Sequence, residues 1–241
     1  MFFVYYVGMQ SPSSFSPATS RPMTLNSSVE SQTYFLFALA MALTVLGTFL
    51  GMTFAMPILS SGFGFVLIIA ELAIIFTSRL WMDKSPLNAL LFGLFPVLSG
   101  LTFAPYLMYV LAGYANGGAI LMNAFAATAF MAGAAGVFAK TTTWNLTILG
   151  KALFFALLGL ILMGVLQIFI PGLRGGALEV LLSGAGVVIF ALFTAYDVQR
   201  VGSMARLGAN PFMLALSLYL DIFNLFLYIL RFMIAISGNR R

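Results

Sequence analysis

The sequence predicts an all-α membrane protein, a seven-transmembrane-helix bundle with the C-terminal helix central, and three observations carry that reading. Of 241 residues, 62% are hydrophobic and 7% charged, and the mean hydropathy is +1.07, values far from those of soluble domains. The apolar residues fall into runs long enough to cross a bilayer as helices, without the alternation of a barrel strand. The last run, 212–236, carries Ser217, Asp221, Asn224, Tyr228 and Arg231 at 4-3-4-3 spacing, which lines one side of a helix. A carboxylate near the bilayer centre costs roughly 2.5 kcal/mol or more, so this helix is expected to be ringed by the others.

Residues 1–33 read as a flexible N-terminal tail. MFFVYYV is too short to span, and SPSSFSPATSRP is rich in Ser and Pro. No basic stretch precedes a long apolar core, so a signal peptide is not expected. Residues 34–241 read as a single seven-helix transmembrane domain. The first helix, 34–56, stops at Pro57 and has Gly47 and Gly51 spaced for close helix contact. The second, 63–80, holds Glu71 in mid-span, with Ser78 and Arg79 two turns on and Trp81, Asp83 and Lys84 marking the interface. Pro96 and Pro105 interrupt the third, 87–111, and each frees a carbonyl and favours a bend. The fourth, 119–139, is rich in Ala and Gly, as tight packing requires. The fifth, 148–170, stops at Pro171-Gly172. The sixth, 177–207, ends before Gly208, and Pro211 opens the seventh.

Basic residues give the orientation. Arg21, Arg79, Lys84, Lys140, Lys151, Arg200 and Arg206 belong to the tail and to the connections after helices two, four and six, against Arg174 alone on the other side. That bias places the N-terminus in the cytoplasm, although Arg240 and Arg241, beyond the seventh span, run against it. The net charge of +5 thus reads as orientation in a lipid bilayer and not as nucleic-acid binding.

The chain has no cysteine and no histidine, which excludes disulfides, thiolate chemistry, Ser-His catalysis and the usual zinc sites. It contains no P-loop, dinucleotide fingerprint or nucleophile elbow. Asp221 lies in LYLD, without the GxGD setting of intramembrane aspartyl proteases. No enzymatic activity and no tightly bound cofactor are expected.

What remains is a set of charges in apolar spans: Glu71 and Arg79 on the second helix, Asp197 on the sixth, Asp221 and Arg231 on the seventh. Such residues are functional candidates by default. Asp197 lies 11 residues before Gly208 and Asp221 lies 10 after Pro211. At a rise of 1.5 Å per residue both sit about 15 Å from the turn, at one depth on adjacent antiparallel helices. They are placed to share a proton or a cation, which makes a pH switch without histidine and a weak calcium site poor in oxygen ligands. The competing expectation is structural: these acids bind helices together through Arg79, Arg231, Ser217 and Asn224.

FTAYDVQR at 193–200 and ALSLYLDIFNLFLYILR at 215–231 resemble the two signature segments of the Bax inhibitor-1 family, the transmembrane BAX inhibitor motif proteins and their bacterial relatives. LYLDIFNLF is the most specific of these, and the resemblance extends over all seven helices, including Glu71. It implies a bundle with the last helix in the middle and a pH-sensitive calcium leak gated by Asp197 and Asp221. Glu71, Arg79, Asn224 and Arg231 are the candidate pore or latch residues, and the resemblance implies that Arg79 is the basic residue that latches an aspartate. Calcium would be a permeant or weakly bound ion. Animal members modulate cell death and some bacterial relatives associate with a membrane-bound protease, so a non-transporting regulatory protein with a membrane protease partner is the alternative. The short tails and the lack of an organelle signal point to a bacterial member in the inner (plasma) membrane.

Overall fold

The structure, a computed structural model, describes residues 28–237. Residues 1–27 of the expected tail, with Arg21, and the terminal Arg240 and Arg241 lie outside the described residues. Every described element is a helix, and no strand occurs among them. Helix α1 is Val29–Leu50. It starts five residues before the expected position, because Ser28 caps it by accepting from the Ser31 amide at 3.2 Å and because Thr33 is already fully buried.

The chain then passes through a π-helical turn, Gly51–Ala55, the short Met56–Ile58 and a second π-helical segment, Leu59–Phe63. Gly62, at φ 90°, breaks the helical path there. Helix α2 is Gly64–Phe76, followed across Thr77 by the single turn Ser78–Trp81. The later helices are α3, Leu87–Gly113; α4, Gly117–Thr141; α5, Leu149–Phe169; α6, Gly176–Ala205; and α7, Pro211–Ser237.

Six of these, all but α2, are long and apolar enough to cross a membrane. The second span differs from the expectation. The composition over 63–80 reads as one run, but Thr77 leaves helical geometry and cuts α2 to 13 residues. At 1.5 Å per residue that is about 20 Å, short of a hydrocarbon core of about 30 Å. Helix α3, by contrast, runs unbroken through Pro96 and Pro105.

Helix α7 is the core of the bundle. Within its apolar stretch 56% of residues are buried, against 17 to 39% in the other five spans, and α1, α3, α4 and α6 all pack on it. Leu225, Phe226, Ile229 and Leu230 meet Phe103 and Val110 of α3 and Phe190 of α6 in one cluster. Tyr219 meets Phe92 and Phe95 of α3 in another. Helices α1 and α3 touch at backbone distance: a Cβ on Gly47 would collide with the Val97 carbonyl, and one on Gly100 with the Thr44 carbonyl. Small residues were expected at this contact for Gly47 and Gly51, and Gly100 supplies the opposing face.

The α6–α7 turn is fixed from outside itself. Asn210 accepts from the Phe212 amide (2.9 Å) at the start of α7, and its side-chain amide donates to the Met82 carbonyl (2.9 Å) and to Asp83 (2.8 Å). The α4–α5 connection is tied likewise, with Gln199 of α6 donating to the Trp144 carbonyl at 2.9 Å and accepting from the Leu146 amide at 2.8 Å. These hydrogen bonds tie the α6–α7 turn to the end of the Ser78–Trp81 segment and α6 to the α4–α5 connection.

Candidate functional site

Asp197 occurs two-thirds of the way along α6 and Asp221 ten residues into α7. Both are buried, at 3% and 7% exposure. The clamped turn brings them together, with the two carboxyl groups within hydrogen-bonding reach of each other. The Oδ2 atom of each is buried with no N–H or O–H donor among the described residues. Buried acceptors without a donor are satisfied by a proton or by a cation.

The basic partner at this pair is Arg200, not Arg79. One helical turn after Asp197, its Nη1 stands 3.4 Å from Asp197 Oδ1 and 3.5 Å from the hydroxyl of Ser217 on α7. Asp197 and Arg200 are the charged groups that act on Asp221. Arg79 is exposed in the Ser78–Trp81 turn and makes no hydrogen bond or ion pair with the described residues. Sequence reasoning assigned Arg200 to a connection, because it took α6 as an apolar run with charged ends. The i, i+3 spacing inside FTAYDVQR was the signal for it.

Glu71 does not join the aspartates. It projects from α2 onto α3, where Ser99 and Thr102 each donate a hydroxyl to it at 2.8 Å. Glu71, Asn224 and Arg231 instead line a single cavity of about 530 Å³ between α2, α3 and α7, with Phe103, Tyr106 and Tyr228 on its walls. Three of the four residues expected to form a pore or latch are thereby gathered in one place. Asn224 donates to the Leu220 carbonyl of its own helix at 2.7 Å, which leaves its amide oxygen for the cavity.

Arg231 does not simply reach for the membrane surface. Its Nε donates to Glu179 Oε1 of α6, and Nη2 donates to Glu179 Oε2 at 2.8 Å and to Gln167 Oε1 of α5 at 2.6 Å. Gln167 in turn donates to the Leu173 carbonyl at 2.9 Å. Neither Glu179 nor Gln167 was singled out from the sequence, where both read as polar residues at helix ends.

No group of three or more His, Cys, Asp or Glu side chains converges among the described residues. The Asp197–Asp221 pair thus presents two carboxylates at most, a weak oxygen site for a hard cation.

The chain is similar to known proteins over most of its length. The chain is 34% identical over 203 residues to an uncharacterized protein of Campylobacter jejuni, covering 83% of this chain and 84% of that one. Against an uncharacterized protein of Helicobacter pylori it is 32% identical over 208 residues, 86% of each chain. It is also similar to the Escherichia coli inner membrane protein YbhL, at 34% identity over 187 residues, 73% of this chain and 74% of that protein. These names describe no enzymatic activity. The family model described as inhibitor of apoptosis-promoting Bax1 matches residues 26–239, a range that holds the aspartate pair, both basic partners and all of the described helices, and the chain belongs to the Bax inhibitor-1 family of membrane proteins.

Proposed function

We propose that this protein is a pH-responsive, calcium-permeable leak channel of the inner membrane, with its N-terminus in the cytoplasm and Asp197 and Asp221 as pH sensor and gate. The observation that supports this most is the meeting of two buried carboxyl groups, each with an oxygen that finds no donor, at the contact between α6 and the central helix α7. With one proton between them the acids bridge the two helices. With both ionised they repel each other in a medium that screens poorly, and Arg200 or a divalent cation competes for the charge. The helix contact then loosens. Calcium is the cargo of this route, held weakly by the two carboxylates and passing the cavity that Glu71 and Asn224 line.

The test is calcium flux through purified protein in liposomes across about pH 5 to 8, a span wide enough to follow a carboxyl pair that titrates as a unit. Wild-type flux should vary with pH, and Asp197→Asn and Asp221→Asn should each lose that variation. Flux of unchanged pH dependence in both variants rejects the gate. No flux from any protein at any pH points instead to a regulatory membrane protein, and a stoichiometric membrane protease partner on pull-down would then be the finding to seek.

A further inference from the structure

Helices α1 and α4 both pack on α7, and between them lies a cleft of about 530 Å³. Its floor is Ile222, Phe223 and Phe226 of α7, and its walls include Val45 and Phe49 of α1 and Phe125 and Ala129 of α4. Val45, Phe49 and Phe125 are exposed, so the cleft opens sideways, toward lipid. The wall hydroxyls of Thr44, Thr48 and Thr128 each donate to a carbonyl of their own helix, at 3.0, 2.8 and 2.7 Å. With those groups engaged the cleft is an apolar space, of the kind that stays dry and takes apolar guests. Its character changes at one end. There it continues into a second cavity of about 360 Å³, which shares Phe37, Ala132 and Ile222 with the first and adds Tyr34, Val137 and Lys140. Lys140 stands in the last turn of α4, with its ammonium 3.7 Å from Glu30 of α1 and 5.6 Å from the centre of the Tyr34 ring.

We propose that this cleft binds one glycerophospholipid with a zwitterionic headgroup, an acyl chain lying between α1 and α4 and the phosphate at Lys140. The volume falls within the range of about 300 to 1,000 Å³ that small-molecule sites occupy. The length is that of one leaflet: Phe125 to Lys140 is 15 residues of α4, about 22 Å, half of a bilayer that measures about 40–45 Å with its headgroups. The polarity follows the same order as a lipid, apolar along Phe49, Phe125 and Ala132 and charged at the Lys140 end. The charges there select the headgroup. Lys140 and Glu30 are 61% and 39% exposed, a loose surface pair that opens at little cost, and together they match the phosphate and the ammonium of a zwitterion. A peptide segment would instead carry its backbone amides into an apolar space that offers them no partner. The site is independent of any ion permeation.

The test is a titration of the purified full-length protein in detergent with palmitoyl-oleoyl phosphatidylethanolamine, followed by native mass spectrometry. The wild type should take up one lipid more tightly than any further ones. Ala132→Trp puts an indole where the two cavities join, and it should weaken that first binding at least about tenfold, since excluding two or three methylenes from an apolar site already does so. Lys140→Ala should weaken it roughly two- to fivefold, the scale of one exposed charge contact. Phosphatidylglycerol, which has the phosphate without the ammonium, should bind the wild type less well by a similar factor, and Glu30→Gln should abolish that preference. If Ala132→Trp does not fold, Ala129→Leu narrows the same cleft from an exposed position and should weaken binding about threefold or more. Absence of a distinct first lipid, or a first lipid held equally well by the wild type and the cleft-filling variant, overturns the site. Equal binding of the two lipids by the wild type overturns the assignment of the headgroup. A dimer that retains no lipid and that Ala132→Trp dissociates overturns the lipid in favour of a second copy of the chain.

Discussion

The guanidinium of Arg200 stands 3.4 Å from Asp197, one turn away on the same helix, and reaches 3.5 Å across to Ser217 on α7. Among the described residues it is the cation that acts where two carboxyl groups meet, and its side chain is 28% exposed against 4% for Asp197. Arg200 therefore favours the ionised state of the pair from a partly exposed position. Taking its charge away makes the second ionisation harder. In Arg200→Gln the midpoint of the flux-versus-pH curve is expected to move to higher pH by roughly half a unit to one unit, the discount from a fully buried pair reflecting solvent screening. A midpoint that stays in place, or moves to lower pH, removes Arg200 from the switch.

Tyr219 ties the central helix to the first. It is fully buried, and its hydroxyl lies 2.7 Å from Thr44 Oγ1 on α1. Thr44 gives its own proton to the Ala40 carbonyl at 3.0 Å, so in the pair Tyr219 is the donor. Tyr219→Phe then leaves no unpaired proton on α1, only an acceptor with one partner fewer. The expected cost is at the ordinary level for one hydrogen bond, about 0.5 to 1.5 kcal/mol, read as a lower thermal midpoint in detergent. A loss of 3 kcal/mol or more, roughly twice what one neutral hydrogen bond supplies, would mean that the ring packing against Phe95 and Phe223 depends on the hydroxyl.

Much of this arrangement was legible in the sequence because a membrane helix has few polar residues to place. The 4-3-4-3 stripe on α7 identified the central helix, and counting residues from the α6–α7 turn brought Asp197 and Asp221 to one depth. The same count fails for Arg231 and Glu179. Glu179 precedes Asp197 by 18 residues, while Arg231 follows Asp221 by only 10. The mismatch of eight residues is about 12 Å along a helix. Crossing of the helices and the reach of a long side chain close that gap, and neither can be read from spacing on one helix. Glu71 was found by its charge, but its partners Ser99 and Thr102 were hidden among the many hydroxyls that simply return to their own backbone. The length of α2 was misjudged for a different reason: composition does not show that Thr77 leaves helical geometry.

Glycines in this bundle should separate sharply by what lies opposite them. A Cβ on Gly100 would strike the Thr44 carbonyl and the Thr48 amide of α1, backbone atoms that cannot rotate away. One on Gly133 of α4 would meet nothing within 4 Å. Gly100→Ala is expected to cost about 1 to 3 kcal/mol or more through overpacking, whereas Gly133→Ala should be neutral or mildly stabilising, by up to about 1 kcal/mol. Thermal midpoints of the two variants, measured side by side, decide it. Similar midpoints would show that α1 and α3 can separate at no great cost.

Thermal stability also gives a view of the aspartate pair that needs no transport. On the proposed reading, one proton held between Asp197 and Asp221 joins α6 to α7. As the pH rises that proton would be lost, the two buried carboxylates would repel, and among the described residues Arg200 is the cation that acts on Asp221. The contribution of the pair to stability is therefore present at low pH and lost as the pH rises through its second ionisation. Asp221→Asn removes this effect at the contact, because an amide can donate to the remaining carboxylate and no second charge forms. The thermal midpoint of the wild type is expected to fall between about pH 6 and pH 8.5 by a few degrees, the size of roughly 1 kcal/mol in a chain of this length, while that of Asp221→Asn stays level. A wild-type midpoint that is flat over this range, or one that falls in parallel with the variant, would mean that the two acids do not share a proton. The orphaned oxygens of Asp197 and Asp221 would then need a different partner, and a bound cation would be the first to look for.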